Sequence, residues 1–256
     1  MIYSIFAYIN YCFKRKKSAH SPFVYKFIVE VLQSKTNNEQ WRIIEKERQR
    51  LLKNHNKIHV LDLGVKGRKN GLISNRSIRS ITAKSCKNAK TCRILSRIVE
   101  YFACNNIVEL GTATGMSAAY MAVASPTSQV LTIEGCPEIA KIAGEVFQNI
   151  KTKNIEIINA DFDYAIEHFA NKFENIDLLF IDGNHDYEPT IRYFNFAKKY
   201  AKEDTIFIFD DIHWSKNMNR AWQEVKQDKQ VKITIDLFNI GIVFFKDGLS
   251  KQDFML

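Results

Sequence analysis

The chain predicts an α/β fold: a mostly parallel sheet of seven strands, closed by an antiparallel C-terminal hairpin and preceded by a helical N-terminal extension. Three observations carry this. From Cys92 onward, short apolar runs alternate with helix-period segments, the rhythm of parallel strands joined by helical crossovers. The last two β-type runs, 231–237 and 240–246, are separated only by Phe238-Asn239, which leaves room for a hairpin but not for a crossover. The segment Ile107-Val-Glu-Leu-Gly-Thr-Ala-Thr-Gly-Met-Ser117 runs from an apolar strand through a small-residue loop into a helix start.

Along the front of the chain the pattern is helical from about Tyr3 to Leu52. Phe23, Phe27, Ile28 and Val31 share a face, and Ser21-Pro22 reads as an N-cap with proline at the first helical position. Trp41 to Lys53 is a second, highly charged helix. His59-Val-Leu-Asp-Leu-Gly-Val-Lys-Gly-Arg-Lys-Asn-Gly71 superficially repeats the glycine-loop pattern. No apolar helix and no acid-tipped strand is expected after it, so it reads as a connector or short strand. Beyond it, helix 93–102 leads to strand 107–110, helix 115–124 to strand 129–133, and helix 137–149 to strand 155–158. Helix 162–171 then leads to strand 176–181, helix 188–201 to strand 205–210, and helix 217–228 to the hairpin. Two domains are expected: a basic, mainly helical extension over 1–92 and a ligand-binding domain over 93–256.

Apolar content of 46% and charged content of 25% are globular values and exclude wholesale disorder. Five cysteines, an odd number without a Cys-x-x-Cys pair, read as reduced thiols of a cytoplasmic protein, neither a disulfide framework nor a zinc site. Met1 to Phe13 is apolar, but its basic cluster, Lys14 to Lys17, follows rather than precedes it. A secretory signal carries its charge first, and a spanning helix needs about 20 apolar residues. No transmembrane segment is expected; the helix reads as packing on its own domain, with the membrane interface or a homodimer as alternative surfaces. Residues 1–100 hold 22 Lys+Arg against 6 Asp+Glu, whereas 101–256 hold 15 against 22. The basic front half points to an acidic partner, RNA or an anionic surface, or else to a solvated basic face.

Glu134, Asp161, Asp182 and Asp210 each lie at or just past the end of an apolar β-type run, where open α/β sheets bind their ligands. With Glu-Leu-Gly-Thr-Ala-Thr-Gly-Met-Ser after the first strand of the sheet, the pattern resembles the Rossmann-like class I S-adenosylmethionine-dependent methyltransferases. Among them it is most similar to the O-methyltransferases, whose loop reads Glu-x-Gly-Thr-x-x-Gly-x-Ser. The resemblance covers roughly residues 93–246, and His20-Ser-Pro-Phe-Val-Tyr25 resembles an element of an uncharacterised bacterial branch. A nicotinamide-dependent enzyme would carry glycine where this chain has Ala113, and a nucleobase amino-methylating enzyme would carry Asn-Pro-Pro-Tyr or Asp-Pro-Pro-Tyr after the fourth strand.

The resemblance implies S-adenosylmethionine as donor. Gly111 and Gly115, with Thr112 and Ser117, would let the backbone approach its methionine part. Glu109 would hold its ammonium, Glu134 the ribose hydroxyls and Asp161 the adenine amino group, with Asp182 at the reacting end. Asp182, Asp210 and Asp211 resemble the carboxylates that hold Mg2+ in catechol-type and sugar O-methyltransferases, where the metal binds a small-molecule hydroxyl acceptor. Catechol-type enzymes have Asn where this chain has Asp211, a departure toward the sugar-modifying type. His185 and His213 are the candidate general bases, since imidazole is the side chain that titrates near neutrality. RNA as the acceptor, or donor binding without turnover, are the competing readings.

Overall fold

The computed structural model describes residues 2–14, 20–63, 72–169 and 174–256. Most of the basic cluster at 14–17 and the glycine-rich end of the His59–Gly71 motif therefore lie outside the described residues. In chain order the front part comprises α1 (Ile2–Lys14), α2 (Pro22–Phe27) running into a π-helical turn (Ile28–Leu32), α3 (Glu39–Leu52), β1 (Lys57–Asp62), β2 (Leu72–Ser77), α4 (Ile78–Ser85) and α5 (Ala89–Tyr101). Then follow β3 (Asn106–Leu110), α6 (Met116–Ala124), β4 (Gln129–Glu134), α7 (Pro137–Asn149), β5 (Ile155–Asn159) and α8 (Phe162–Phe169). The rest comprises β6 (Ile176–Ile181), α9 (Tyr187–Ala197), β7 (Ala201–Asp210), α10 (Lys216–Gln227), β8 (Ile233–Asp236), β9 (Ile240–Phe244) and β10 (Gln252–Met255). The expected α/β class, with parallel strands and a C-terminal antiparallel hairpin, is the one found. The chain forms two compact units, Lys26–Ala165 and Met1–Tyr25 with Ile166–Leu256.

In the unit Lys26–Ala165, β3 pairs parallel with β4, and β4 with β5. Ile107, Val108 and Leu110 are all buried, as strands covered on both faces require. Asn38 caps α3 by accepting from Gln40 N at 2.9 Å. Trp41 of α3 is buried and donates from Nε1 to Ser96 of α5 at 3.2 Å. Tyr120 of α6 donates to Glu45 at 2.9 Å, and Arg48 donates to Lys87 O at 2.7 Å. Residues 26–92, expected as part of an extension, thus lie in the same unit as the Gly111 loop. The segment after Gly71, expected without an apolar helix, contains α4, which buries Ile78 and Ile81. β1 and β2 form an antiparallel ribbon.

In the other unit, β6 and β7 are parallel, and β9 is antiparallel to both β7 and β8. β10 pairs parallel with β8 and adds a strand to the expected seven. α9 ends at Ala197, a 3-10 turn occupies Lys198–Tyr200, and β7 begins at Ala201, so the helix expected over 188–201 gives way early to the strand. Trp222 of α10 is buried against β9, where a Cβ at Gly241 would meet its ring at 2.7 Å. α1 lays Tyr8 and Tyr11 on Phe238, at ring-centroid distances of 5.0 and 5.3 Å, and the Tyr11 hydroxyl donates to Leu256 O. No helix among the described residues is long and apolar enough to cross a membrane.

Candidate functional site

The loop after β3 is built on left-handed backbone: Gly111 at φ 107°, Ala113 at 46° and Gly115 at 84°. Gly111 N and Thr112 N both donate to Ile133 O on β4, at 3.0 and 3.1 Å. At Gly115 glycine is needed twice over, for its φ and because a Cβ would sit 2.6 Å from the Phe147 ring on α7. The loop therefore turns tightly and starts α6 with its N-terminal N–H groups free of a side-chain cap.

Glu109 is fully buried beneath this loop. Its Oε2 accepts from Thr132 Oγ1 at 2.5 Å, and Thr132 Oγ1 lies 2.6 Å from Thr112 Oγ1. Because the Thr132 proton points at Glu109, Thr112 is the donor in that second bond. The relay ties the loop to the two strands. Burial pushes the Glu109 carboxyl up to about 7, with hydrogen bonds from Ser117 and Thr132 opposing the shift. Oε1 is buried and has no hydrogen-bond partner among the described residues.

Glu134, at the end of β4, accepts from Ala113 N at 3.0 Å and from Cys136 N at 2.9 Å, one bond on each oxygen. Burial raises its affinity for a proton, and the N–H groups of Cys136, Ala113 and Gly135 hold it back. The lone pairs left over can accept from a ligand hydroxyl. Asp161 is exposed and accepts from Tyr164 N at 2.8 Å, the N-cap geometry for α8. The expected donor residues Glu109, Gly111, Thr112, Gly115, Ser117 and Glu134 are therefore brought together, with Asp161 at the mouth of α8. A cationic ammonium fits the unpartnered Glu109 oxygen, and a diol fits Glu134. Thr132 went unpredicted; a polar residue inside the apolar run Val130–Ile133 was the available signal.

The second group lies in the other unit. β6 leads into Asp182, and β7 ends at Asp210, which is 2% exposed. Ligand atoms of Asp182, His185 and Asp210 all lie within 4.8 Å of one another. His185 Nε2 is 3.6 Å from Asp182 Oδ1 and 3.9 Å from Asp211 Oδ2. Asp211, expected with Asp182 and Asp210 as a third carboxylate, has φ 54° and donates its N–H to Asn239 O at 2.7 Å. Its carboxylate is thus turned toward the imidazole. Two carboxylates at one point fit a divalent cation such as Mg2+, which binds through one or two carboxylates and keeps waters.

His213, the other candidate base, is buried with both ring nitrogens engaged. Nε2 is 2.7 Å from Asp236 Oδ2, and Nδ1 is 3.0 Å from Asn219 Nδ2. Its ring stacks on Phe238 at 5.3 Å. Tyr187 donates to Glu224 beneath the Arg220 guanidinium, which lies 3.8 Å above its ring, and Trp214 is 61% exposed.

Comparison with known proteins places the fold. Residues 108–212 match a family model described as a methyltransferase domain, a span from β3 to just past β7. An O-methyltransferase from Bacillus cereus, solved with S-adenosylhomocysteine, superposes with a TM-score of 0.57 at 17% identity, covering 87% of this chain and 97% of its own. The fold is that of the class I S-adenosylmethionine-dependent methyltransferases. By sequence, an uncharacterised protein of Acanthamoeba polyphaga mimivirus is 32% identical over 133 residues, 48% of this chain and 60% of that one. The tRNA (guanine-N(7)-)-methyltransferase of Mycoplasma mobile is 33% identical over 78 residues, 30% of this chain and 39% of that one. The chain thus spans less than two thirds of the length of these relatives.

Proposed function

We propose that the protein is an S-adenosylmethionine-dependent O-methyltransferase that methylates a hydroxyl of a small molecule or sugar with the help of Mg2+. The part of the chain that carries the methyltransferase pattern starts at about residue 93, and residues 26–92 pack in the same unit as its donor loop. The observation that carries the reading is Glu134, a strand-end carboxylate aligned by Ala113 N and Cys136 N at the rim of the left-handed Gly111–Gly115 loop. The Bacillus cereus relative, an O-methyltransferase by name, supports the oxygen acceptor.

The donor, when bound, supplies an electrophilic methyl on a sulfonium. Glu134 accepts the ribose hydroxyls, Glu109 Oε1 the ammonium, and Asp161 the adenine amino group. Mg2+, when bound, makes an acceptor hydroxyl more acidic. Asp182 and Asp210 would hold it, with Asp211 beside them. His185 takes the proton as the oxygen–carbon bond forms and the sulfur–methyl bond breaks, leaving a thioether and an imidazolium. Asp182 and Asp211, flanking Nε2, stabilise that charge. His213, committed to Asp236 and Asn219, positions the loop after β7 instead. In this reading the acceptor is a small molecule.

Calorimetric titration with S-adenosylmethionine tests the donor half. Micromolar binding that Glu134→Ala weakens by about 1–3 kcal/mol is expected, the cost of leaving hydrogen-bonding groups unmet. Transfer of labelled methyl to a panel of hydroxyl acceptors, stopped by Asp210→Asn, tests the other half. Donor binding without product over the whole panel would instead favour a binding module without turnover.

A further inference from the structure

The β1–β2 ribbon, outside the span that matches the methyltransferase family, reaches the residue next to Glu134. Gly135 does not have a positive φ, so it is not glycine for conformational reasons. It is glycine for space: a Cβ there would lie 2.7 Å from Leu63 Cδ1 and 3.8 Å from Ala160 O. Leu63 directly follows β1 and is 37% exposed, an apolar side chain left partly in water beside two polar strand ends. Three segments therefore converge at Gly135: the end of β4 with Glu134, the Ala160–Asp161 turn after β5, and Leu63.

The ribbon is anchored there. Leu61 N donates to Cys136 Sγ at 3.3 Å, and His59 N donates to Glu138 Oε2 at 3.2 Å. Val60 is buried with Ile81, Cys136 and Ile139. These contacts fix β1 to the start of α7, immediately after Gly135, and the charge of Asp62 is felt at Glu134.

We propose that Leu63, seated on Gly135, is a binding residue of the donor site, the apolar wall against which the adenine ring of S-adenosylmethionine packs, with Asp161 at the edge. This rests on the donor reading given above. Adenine has flat apolar faces and polar edges, and the convergence offers both. A Cβ at 135 would displace Leu63, so the glycine lets the ribbon bring an apolar side chain up beside Glu134.

The test is titration of S-adenosylhomocysteine and of 5'-methylthioadenosine, which share the 5'-thioadenosine half and differ in what the sulfur carries, into wild type, Leu63→Ala, Leu63→Met and Ile73→Ala. Leu63→Ala should weaken both ligands by the same factor, about tenfold, as loss of a packed apolar side chain predicts. Leu63→Met should bind both as wild type does. Ile73→Ala, on the same ribbon and 69% exposed, should also leave binding unchanged. Wild-type affinity in Leu63→Ala overturns the proposal and leaves the donor reading standing. Weakening of one ligand alone, or equal weakening by Ile73→Ala, overturns it as well. Should Leu63→Ala not fold, weakened binding in a folded Leu63→Met overturns it. No binding by wild type overturns the donor reading itself, and the proposal with it.

Discussion

Glu109 concentrates the residue-scale physics. An acid sealed under a loop, with hydroxyls and apolar walls for neighbours, loses water that a charge needs, and its pKa rises from 4.5 to about 7. Between those values the folded chain keeps a proton that the unfolded chain has released. The stability associated with this group is therefore fully present below pH 4.5 and is lost as pH rises through about 7. Glu109→Gln removes the titration. Denaturant melts from pH 4 to 8 should show wild type losing on the order of 3 kcal/mol more than the variant; parallel profiles would contradict the burial argument. Glu109 was legible as a site residue because an acid at the end of an apolar strand is conspicuous. The hydroxyl relay through Thr132 and Thr112 was not, since it joins side chains on neighbouring strands.

At the scale of elements, the strands of the parallel region were legible because each is a near-continuous apolar run between helical segments. β10 was not, as Gln252–Met255 is only four residues long, half polar and nowhere fully buried, and becomes a strand only by pairing with β8. β2 likewise owes its state to β1. The start of α6 depends on close packing by α7. Gly115→Ala would impose a left-handed alanine and a clash with Phe147 together, an expected loss of about 2–4 kcal/mol in denaturant melts. The same substitution should abolish donor binding by calorimetry, because the loop cannot move without moving Ala113 N away from Glu134. A stability change under 1 kcal/mol would mean that Phe147 yields freely.

For the whole molecule, the acid cluster should make stability depend on divalent cations. A cation that binds only the folded chain raises its melting temperature by mass action. Millimolar Mg2+ or Mn2+ should raise that of wild type and not that of Asp210→Asn, and chelation should reverse the gain. An equal rise in both proteins would place the cation elsewhere. The proposed site residues also divide at this scale: Glu109, Glu134 and Asp161 lie in the unit Lys26–Ala165, and Asp182, His185 and Asp210 lie in the unit containing Ile166–Leu256.

The sequence by itself determined the α/β class, the strand order along the chain, the hairpin, the glycine loop and the acids at strand ends. All of these are local: an apolar run, a turn and a helix start are encoded within a dozen residues by periodicity and backbone freedom. Tertiary structure decided which groups meet. It placed His185 with Asp182 and Asp210, bound His213 to Asp236, made Asp161 a helix cap, and brought Leu63 against Gly135. Each of those outcomes depends on where a side chain points after packing, a property of neighbours distant in the chain that no local pattern carries.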